Sequence, residues 1–399
     1  MRQERSAFMV RIEQCNENFY FEDVLQLGSY AFQSPLTDKR REAKRKRLTK
    51  EWVYGVFEEG QLASKLHLIP LQTYIKDKPF EFGGVASIAT WPEFRRKGHV
   101  NKLLSHSLEV MKNNGLILSM LHPFSISFYR RFGWELTQEM RKASLSLTDI
   151  PHVSNTDGKI VRTTYSENSE ALQNLYNQAA AQYGLLMKRD SFWWENRVIT
   201  EGITIILSYD VDGRPDGYAL TKLEDNTMHV EEIIYTSYNA WCNLISWMKN
   251  HDSMIDYIEM ILLPNDPMLF YLHNPRVKES RQAYFMSRIV DLKAFLESYP
   301  YEKYTNSCVL HLQVMDEMAP WNDGAWTLTV TNGGGIVQYG HLGQSDVTIN
   351  GSIQSFTALL LNSQTIHHLH MFENLKIEGD LNKVSSLLSD FQPAFLDFF

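Results

Sequence analysis

Cysteine is scarce in this chain of 399 residues. The three present, Cys15, Cys242 and Cys308, are odd in number, far apart and free of any C-x-x-C pairing, which argues against a disulfide framework and against a thiolate metal site. A reducing compartment fits that usage. Long apolar runs are missing too. The opening MRQERSAFMVRIEQC has no apolar signal-peptide core, and no stretch approaches the ~18 uninterrupted apolar residues of a membrane span. The chain is therefore expected in the cytoplasm, with no membrane partner. It also lacks an excess of positive charge, and a net charge of -8 gives the whole molecule no attraction to nucleic acid. His367, His368 and His370 stand without a nearby cysteine or a suitably spaced carboxylate set, so they are read as a surface turn and no metal is expected.

What is present is an ordinary globular composition, 44% hydrophobic and 22% charged, in a chain longer than one core usually supports. Polar stretches at Asp149 to Lys159 and Glu297 to Asn306 read as linkers. They divide the chain into segments 1–150, 151–290 and 291–399. In the first, strands are expected at Phe8 to Ile12, Val53 to Phe57, Gln61 to Ile69 and Phe82 to Thr90, with a helix over Phe21 to Phe32. A second helix carries Val100, Leu103, Leu104, Leu108 and Met111 on one face and stops at Asn113, Asn114 and Gly115. The second segment repeats the outline weakly. Its strands fall at Ile160 to Thr163, Thr204 to Tyr209, Gly217 to Leu223 and Val230 to Tyr235; one helix lies around Ala171 to Gln182 and another ends near Lys249. The third reads as a hairpin turning at Asn332 to Gly335, strands at Asp346 to Ile349 and Asn374 to Glu378, and helices at Ile353 to Leu361 and Leu381 to Leu388.

The most informative stretch is Ser87 to Leu104, SIATWPEFRRKGHVNKLL, in which an apolar strand passes through a basic, glycine-containing loop into an amphipathic helix. Unpaired amides at a helix N-terminus carry partial positive charge and suit a pyrophosphate. Gly98 allows close approach, and Arg95, Arg96 and Lys97 add charge. The loop has neither the G-x-x-x-x-G-K-[ST] of a nucleoside triphosphate site nor the G-x-G-x-x-G of a dinucleotide fold.

Arg95-Arg96-Lys97-Gly98-His99-Val100 resembles the [RQ]-x-x-G-x-[GA] hallmark of the GNAT superfamily of N-acetyltransferases, with Val100 in place of the usual Gly or Ala. A doubly basic loop ending in an aliphatic residue is similar to the Eis (enhanced intracellular survival) branch. The likeness continues through ILSMLHPFSISFYRRFGW, Ile117 to Trp134, against a family pattern Y-x-[RK]-[FK]-G-[YFW]. It implies an α+β (mixed α/β) chain of two tandem GNAT-like domains, the second without a cofactor loop, followed by a sterol-carrier-like α+β domain. It also implies acetyl-CoA as co-substrate. Pantetheine would lie along Ile88, Ala89 and Thr90, pyrophosphate on the backbone from Arg96 to Asn101, and Phe124 and Ser125 would border the same cofactor. By the same resemblance Tyr129 takes the place of the general-acid tyrosine, and the α-carboxylate of Phe399 that of the terminal base. The acceptor would be a small-molecule or peptide amine, such as an aminoglycoside, a polyamine or a protein lysine. The family's habit makes a homo-oligomer, a hexamer, the expected assembly. A non-catalytic acyl-CoA or lipid-binding protein that keeps the fold is the alternative.

Two features stay outside this reading. Lys39 to Lys50 holds eight basic residues in twelve and reads as a solvated helix face. In the second segment, Thr236 to Trp241 follows a strand without a basic-Gly cradle, so that segment is expected to wall the acceptor cleft.

Overall fold

The computed structural model describes residues 10–15, 20–153, 157–303 and 307–399. The first segment runs β1 (Arg11–Cys15), α1 (Phe21–Ala31), α2 (Asp38–Leu48), β2 (Trp52–Glu58), β3 (Gln61–Ile75), β4 (Lys78–Thr90), α3 (His99–Asn113), β5 (Leu118–Leu121), α4 (Ile126–Arg130) and β6 (Glu135–Ser146). The second runs β7 (Lys159–Thr163), α5 (Tyr165–Ala180), α6 (Ser191–Trp193), β8 (Thr204–Tyr209), β9 (Pro215–Glu224), β10 (Thr227–Tyr235), α7 (Tyr238–Lys249), β11 (Tyr257–Leu262) and β12 (Lys278–Ile289). The third holds α8 (Leu292–Ser298), β13 (Cys308–Met315), β14 (Gly324–Thr331), β15 (Gly334–Tyr339), β16 (Val347–Ser352), α9 (Ile353–Leu360), α10 (Ile366–Met371), β17 (Leu375–Gly379) and α11 (Leu381–Leu387).

Twelve strands form one sheet in the order β1-β2-β3-β4-β5-β12-β6-β11-β10-β9-β8-β7. The sheet does not stop where the chain passes from the first segment to the second, because β12 inserts between β5 and β6 and pairs antiparallel with both. The third segment has its own five-stranded sheet, β15-β14-β13-β16-β17. Its α9 lies on β6 and β12, where Thr357 accepts a hydrogen bond from the Ile289 amide at 3.2 Å.

Several expectations shift. The first strand begins at Arg11 rather than Phe8; Phe8 and Met9 lie outside the described residues, as do 154–156 and 304–306 of the two linkers. β3 continues through Pro70 to Ile75, pairing with β4 along its length. α5 starts at Tyr165 rather than near Ala171, because Thr164 and Glu167 form a capping box, the Glu167 carboxylate accepting from the Thr164 amide at 3.0 Å. The hairpin turn is only Asn332-Gly333, both with positive φ; Gly334 and Gly335 already belong to β15. His367, His368 and His370 sit not on a turn but on α10, which Thr365 caps and which buries Ile366 and Leu369. β6, β11, β12 and β13 complete the sheets between the expected strands. α2 buries no residue, as its charge dictates. Among the described residues no helix is long and apolar enough to cross a membrane.

Candidate active site

The site forms where two parallel strands part. β4 pairs with β5 only from Phe82 to Gly84, opposite Leu118 to Met120. Beyond Gly84, β4 runs on to Thr90 beside β3 alone, so its other edge faces a gap. A bulge lies in the same stretch: Lys65 pairs with Ala89 and His67 with Ala86, leaving Ser87 and Ile88 opposite Leu66, with Ser87 at φ 49°. Ala89 and Thr90 follow the bulge, held from the β3 side by Ser64, whose hydroxyl donates to the Ala89 carbonyl at 3.0 Å and lies 2.7 Å from Thr90 Oγ1.

The basic loop leads into α3 with an exposed N-terminus. Gly98 occupies the N-cap in the left-handed region, φ 78°, with nothing within 4 Å of where a Cβ would stand, and it offers no side chain to the first turn. The first backbone bond of the helix runs from the Lys102 amide to the Gly98 carbonyl at 3.1 Å. The amides from Arg96 to Asn101, Val100 included, find no acceptor among the described residues. Arg95 and Arg96 are exposed. Lys97 and His99 are engaged elsewhere: Glu58 takes Lys97 Nζ at 2.6 Å and His99 Nε2 at 3.0 Å, and the His99 ring is buried. Their backbone amides, rather than their side chains, are what they leave free. The contrast with the second segment is direct. Before α7, Ser237 fills the N-cap and accepts from the Ala240 amide at 2.9 Å, and no basic residue stands beside it.

Across the gap, β5 ends in a loop to α4. Ser125 caps that helix, accepting from the Phe128 amide at 3.3 Å, and Phe124 is exposed beside it. Tyr129 lies in α4 at 4% exposure, its ring 5.4 Å from that of Phe124 and 5.2 Å from Phe128. Burial pushes its phenol above the usual range, so it is protonated at neutral pH.

From the other side the C-terminal tail threads under the second segment. Gly184 and Pro393 form a parallel bridge, with the Gly184 amide donating to Gln392 and the Ala394 amide donating to Gly184. Arg189, fully enclosed, then holds Asp397 at 2.9 Å and Glu232 at 2.7 Å. Trp193 Nε1 donates to Asp397 at 2.7 Å, Tyr284 to the Asp397 carbonyl at 2.7 Å, and Tyr218 to Glu232 at 2.5 Å. Burial opposes the charge on Arg189, but the two carboxylates outweigh it and hold the guanidinium ionised. The tail ends with the Phe399 ring packed on Gly84, where a Cβ would come within 2.8 Å of it, and beside Phe285 at 5.1 Å. Phe398 meets the ring of His122, just past β5, at 5.1 Å. Phe399 and Phe398 therefore stand on either side of the point where β4 and β5 separate. Tyr129 and Phe399 are not in ring contact and belong to different packing clusters.

Sequence reasoning passed over this anchoring set, Arg189, Glu232, Tyr284 and Asp397. It also passed over Glu51, His67, Lys65 and Arg197, a buried polar chain beside the bulge. Lys65 and His67 leave a local trace: two titratable residues at alternate positions of β3, so both point to one face.

Residues 15–137 match the acetyltransferase (GNAT) domain, residues 185–289 match a further acetyltransferase (GNAT) domain, and residues 292–396 match the sterol carrier protein domain. A search of curated proteins found no match. Among solved structures, the chain is similar to a conserved protein of unknown function, a probable N-acyltransferase, from Enterococcus faecalis, at TM-score 0.92 and 24% identity over 98% of this chain and 100% of that one. It is also similar to a GCN5-related N-acetyltransferase from Anabaena variabilis (TM-score 0.85, 20% identity, 98% and 100%) and to Eis1 from Mycobacterium abscessus (0.78, 18%, 98% and 100%).

Proposed function

We propose, for a chain that is an N-acetyltransferase built of two GNAT domains and a sterol carrier protein domain, that it transfers acetyl from acetyl-CoA directly to a primary amine in a ternary complex. One observation carries the reading: the tail from the third domain is fixed by Arg189 so that Phe399 meets Gly84 where β4 and β5 part.

The free amides of Arg96 to Asn101 and the exposed guanidinium groups of Arg95 and Arg96 fit a pyrophosphate, and the unpaired edge Ile88 to Thr90 fits an extended pantetheine arm. Phe124 and Ser125 close the opposite side. Acetyl-CoA supplies the activated thioester carbonyl. Tyr129, kept protonated by burial, donates to the departing thiolate. An ordinary phenol of pKa ~10 already exceeds a thiol of pKa ~8.5, so this proton moves late, as sulfur takes up charge. The carboxylate at Phe399, intrinsically a weak base of pKa ~3.5, acts as a positioned acceptor for the amine proton or for a water that carries it. None of the cysteines stands in this set, in keeping with direct transfer.

Free-thiol release from acetyl-CoA against aminoglycosides, polyamines and lysine peptides tests the reading. Amine-dependent release that falls at least a hundredfold when Phe399 is deleted, and also when one glycine is added after it, is the expected result. The added glycine keeps the ring and moves only the carboxylate. Binding of acetyl-CoA without release by any amine would instead favour the non-catalytic acyl-CoA or lipid-binding alternative.

A further inference from the structure

The polar chain beside the bulge has no part in the transfer chemistry. His67 Nδ1 lies 2.6 Å from Glu51 Oε2 and its Nε2 lies 2.9 Å from Lys65 Nζ, while Arg197 donates to the other Glu51 oxygen at 2.8 Å. An ammonium on Lys65 donates to Nε2, so the hydrogen on the ring sits on Nδ1 and His67 is neutral. Burial and the charge of Lys65 agree, pushing the His67 pKa down to about 4.

A cavity of about 100 Å³ opens on this chain, bordered by Lys44, Arg47, Glu51, Lys65, Ser87 and Arg197. Four basic side chains therefore face it with a single carboxylate, and that carboxylate is already taken by His67 and Arg197; burial pushes the Lys65 pKa down to about 7, so its amine is only partly charged at neutral pH. Lys65 is 3% exposed and uses one of three donors; among the described residues His67 is its one hydrogen-bond partner. Gly28 makes room for it, since a Cβ there would stand 3.0 Å from Nζ. Arg47 gives one nitrogen to the Asn196 carbonyl at 2.7 Å, yet its buried Nε has no partner. Burial lowers the pKa of Lys65, Arg47 and Lys44, and an anion seated among them would restore the charge that burial opposes. The cavity is large enough for an oxyanion in place of a few waters. Ser87, at its border, is the bulge residue immediately before Ile88 to Thr90.

We infer that the amine acceptor also carries an anionic group, a carboxylate or a phosphate, which seats among Lys44, Arg47, Lys65 and Arg197 while the amine reaches the edge beyond Ser87; this rests on the transfer reading given above. Polycationic acceptors are disfavoured by the same charges. The adjoining cavity of about 420 Å³ shares Arg47, Glu51 and Arg197 and continues along Trp52, Leu71 and Phe192, which gives the rest of the acceptor an aromatic wall.

Matched amines test this. Thiol release is measured for phenylalanine against phenethylamine and for O-phosphoethanolamine against ethanolamine, with spermine as the polycation. At least a tenfold advantage in kcat/KM for the anionic member of one pair is expected, and the pair that shows it tells carboxylate from phosphate. Lys44→Gln and Arg47→Gln should erase the advantage, chiefly through KM, without altering acetyl-CoA affinity. In a second readout independent of turnover, inorganic phosphate or acetate added to the CoA-saturated protein should raise Tm, and less so in both variants. Equal rates within both pairs, or a preference for spermine, with turnover intact would overturn the inference and leave the transfer reading standing. No turnover with any amine, together with a variant-sensitive Tm shift, would support the anion site and sink the transfer reading. No turnover and no shift would remove both.

Discussion

Two glycines with similar backbone angles do different work. Gly133, in the FGW stretch, has φ 89°, and a Cβ there would stand 1.4 Å from an Arg288 guanidinium nitrogen. That guanidinium donates to the Phe132 carbonyl and pairs with Asp316 at 2.7 Å, both charges enclosed. Gly133→Ala must displace a buried ion pair and is expected to cost about 3 to 5 kcal/mol, read as a fall in the denaturant midpoint. Gly98, φ 78°, has no such neighbour. Gly98→Ala meets only backbone strain of about 1 to 2 kcal/mol, and its larger effect should be weaker acetyl-CoA binding. Tyr129→Phe should leave that binding intact and lower kcat; an unchanged kcat would remove the tyrosine from the mechanism. Histidine 67 sets an acid limit. Its folded pKa, about 4, lies below the ordinary 6.5, so the unfolded chain binds the proton first and stability falls as pH drops from 6.5 toward 4. A His67→Gln variant should show a flatter loss over that window, measured by Tm against pH. The glycine N-cap and open first turn after Arg95 to Lys97 were legible in the sequence because a loop running into a helix is a contiguous backbone device. The cluster around Lys65 was not, because Arg197 and Glu51 meet it only through tertiary packing.

Among the elements, those bounded by local signals read well. α3 ends at its Asn and Gly, α7 closes at Lys249, and β8 spans the residues expected of it. β12, KESRQAYFMSRI, reads poorly because its first half is exposed and polar while its second half is buried on both faces, so neither alternation nor an unbroken apolar run marks it. The C-terminal tail is harder still. From Pro393 onward it has no regular structure, yet Ala394, Phe395, Asp397 and Phe399 are buried; only the resemblance singled out its end. Its hold is electrostatic as well as apolar, and the cation is central. Arg189→Met leaves Asp397 and Glu232 facing each other without a counter-charge in a dry site. The expected outcome is release of the tail, seen as rapid loss of Phe399 to carboxypeptidase, with thiol release falling in step. Tail protection that matches the unaltered protein would show that Phe391, Phe395 and Phe399 suffice by packing.

At the scale of the whole molecule, the three segments share more than a chain. One packing cluster contains Phe80 and Phe82 of β4, Phe285 of β12, Phe295 and Trp326 and Phe356 of the third segment, and Phe395 and Phe399 of the tail. The sheet itself is continuous through β5, β12 and β6. Polar stretches in the sequence suggest a division into segments, but the continuity of the sheet was not legible, since β12 reaches β5 across more than half of the first two segments. Cooperativity should follow the packing rather than the segmentation. Calorimetry of the intact protein is expected to give one transition. A chain ending at residue 290 would lose the third-segment side of that cluster and expose Phe82 and Phe285, so it should aggregate or unfold at a much lower temperature. Were the shortened chain to melt at the same temperature and still bind acetyl-CoA, the third domain would be an appendage whose tail merely visits the site. A large drop, paired with loss of amine-dependent release, would mean that the sterol carrier domain holds the catalytic sheet together and delivers its last residue in a single act of folding.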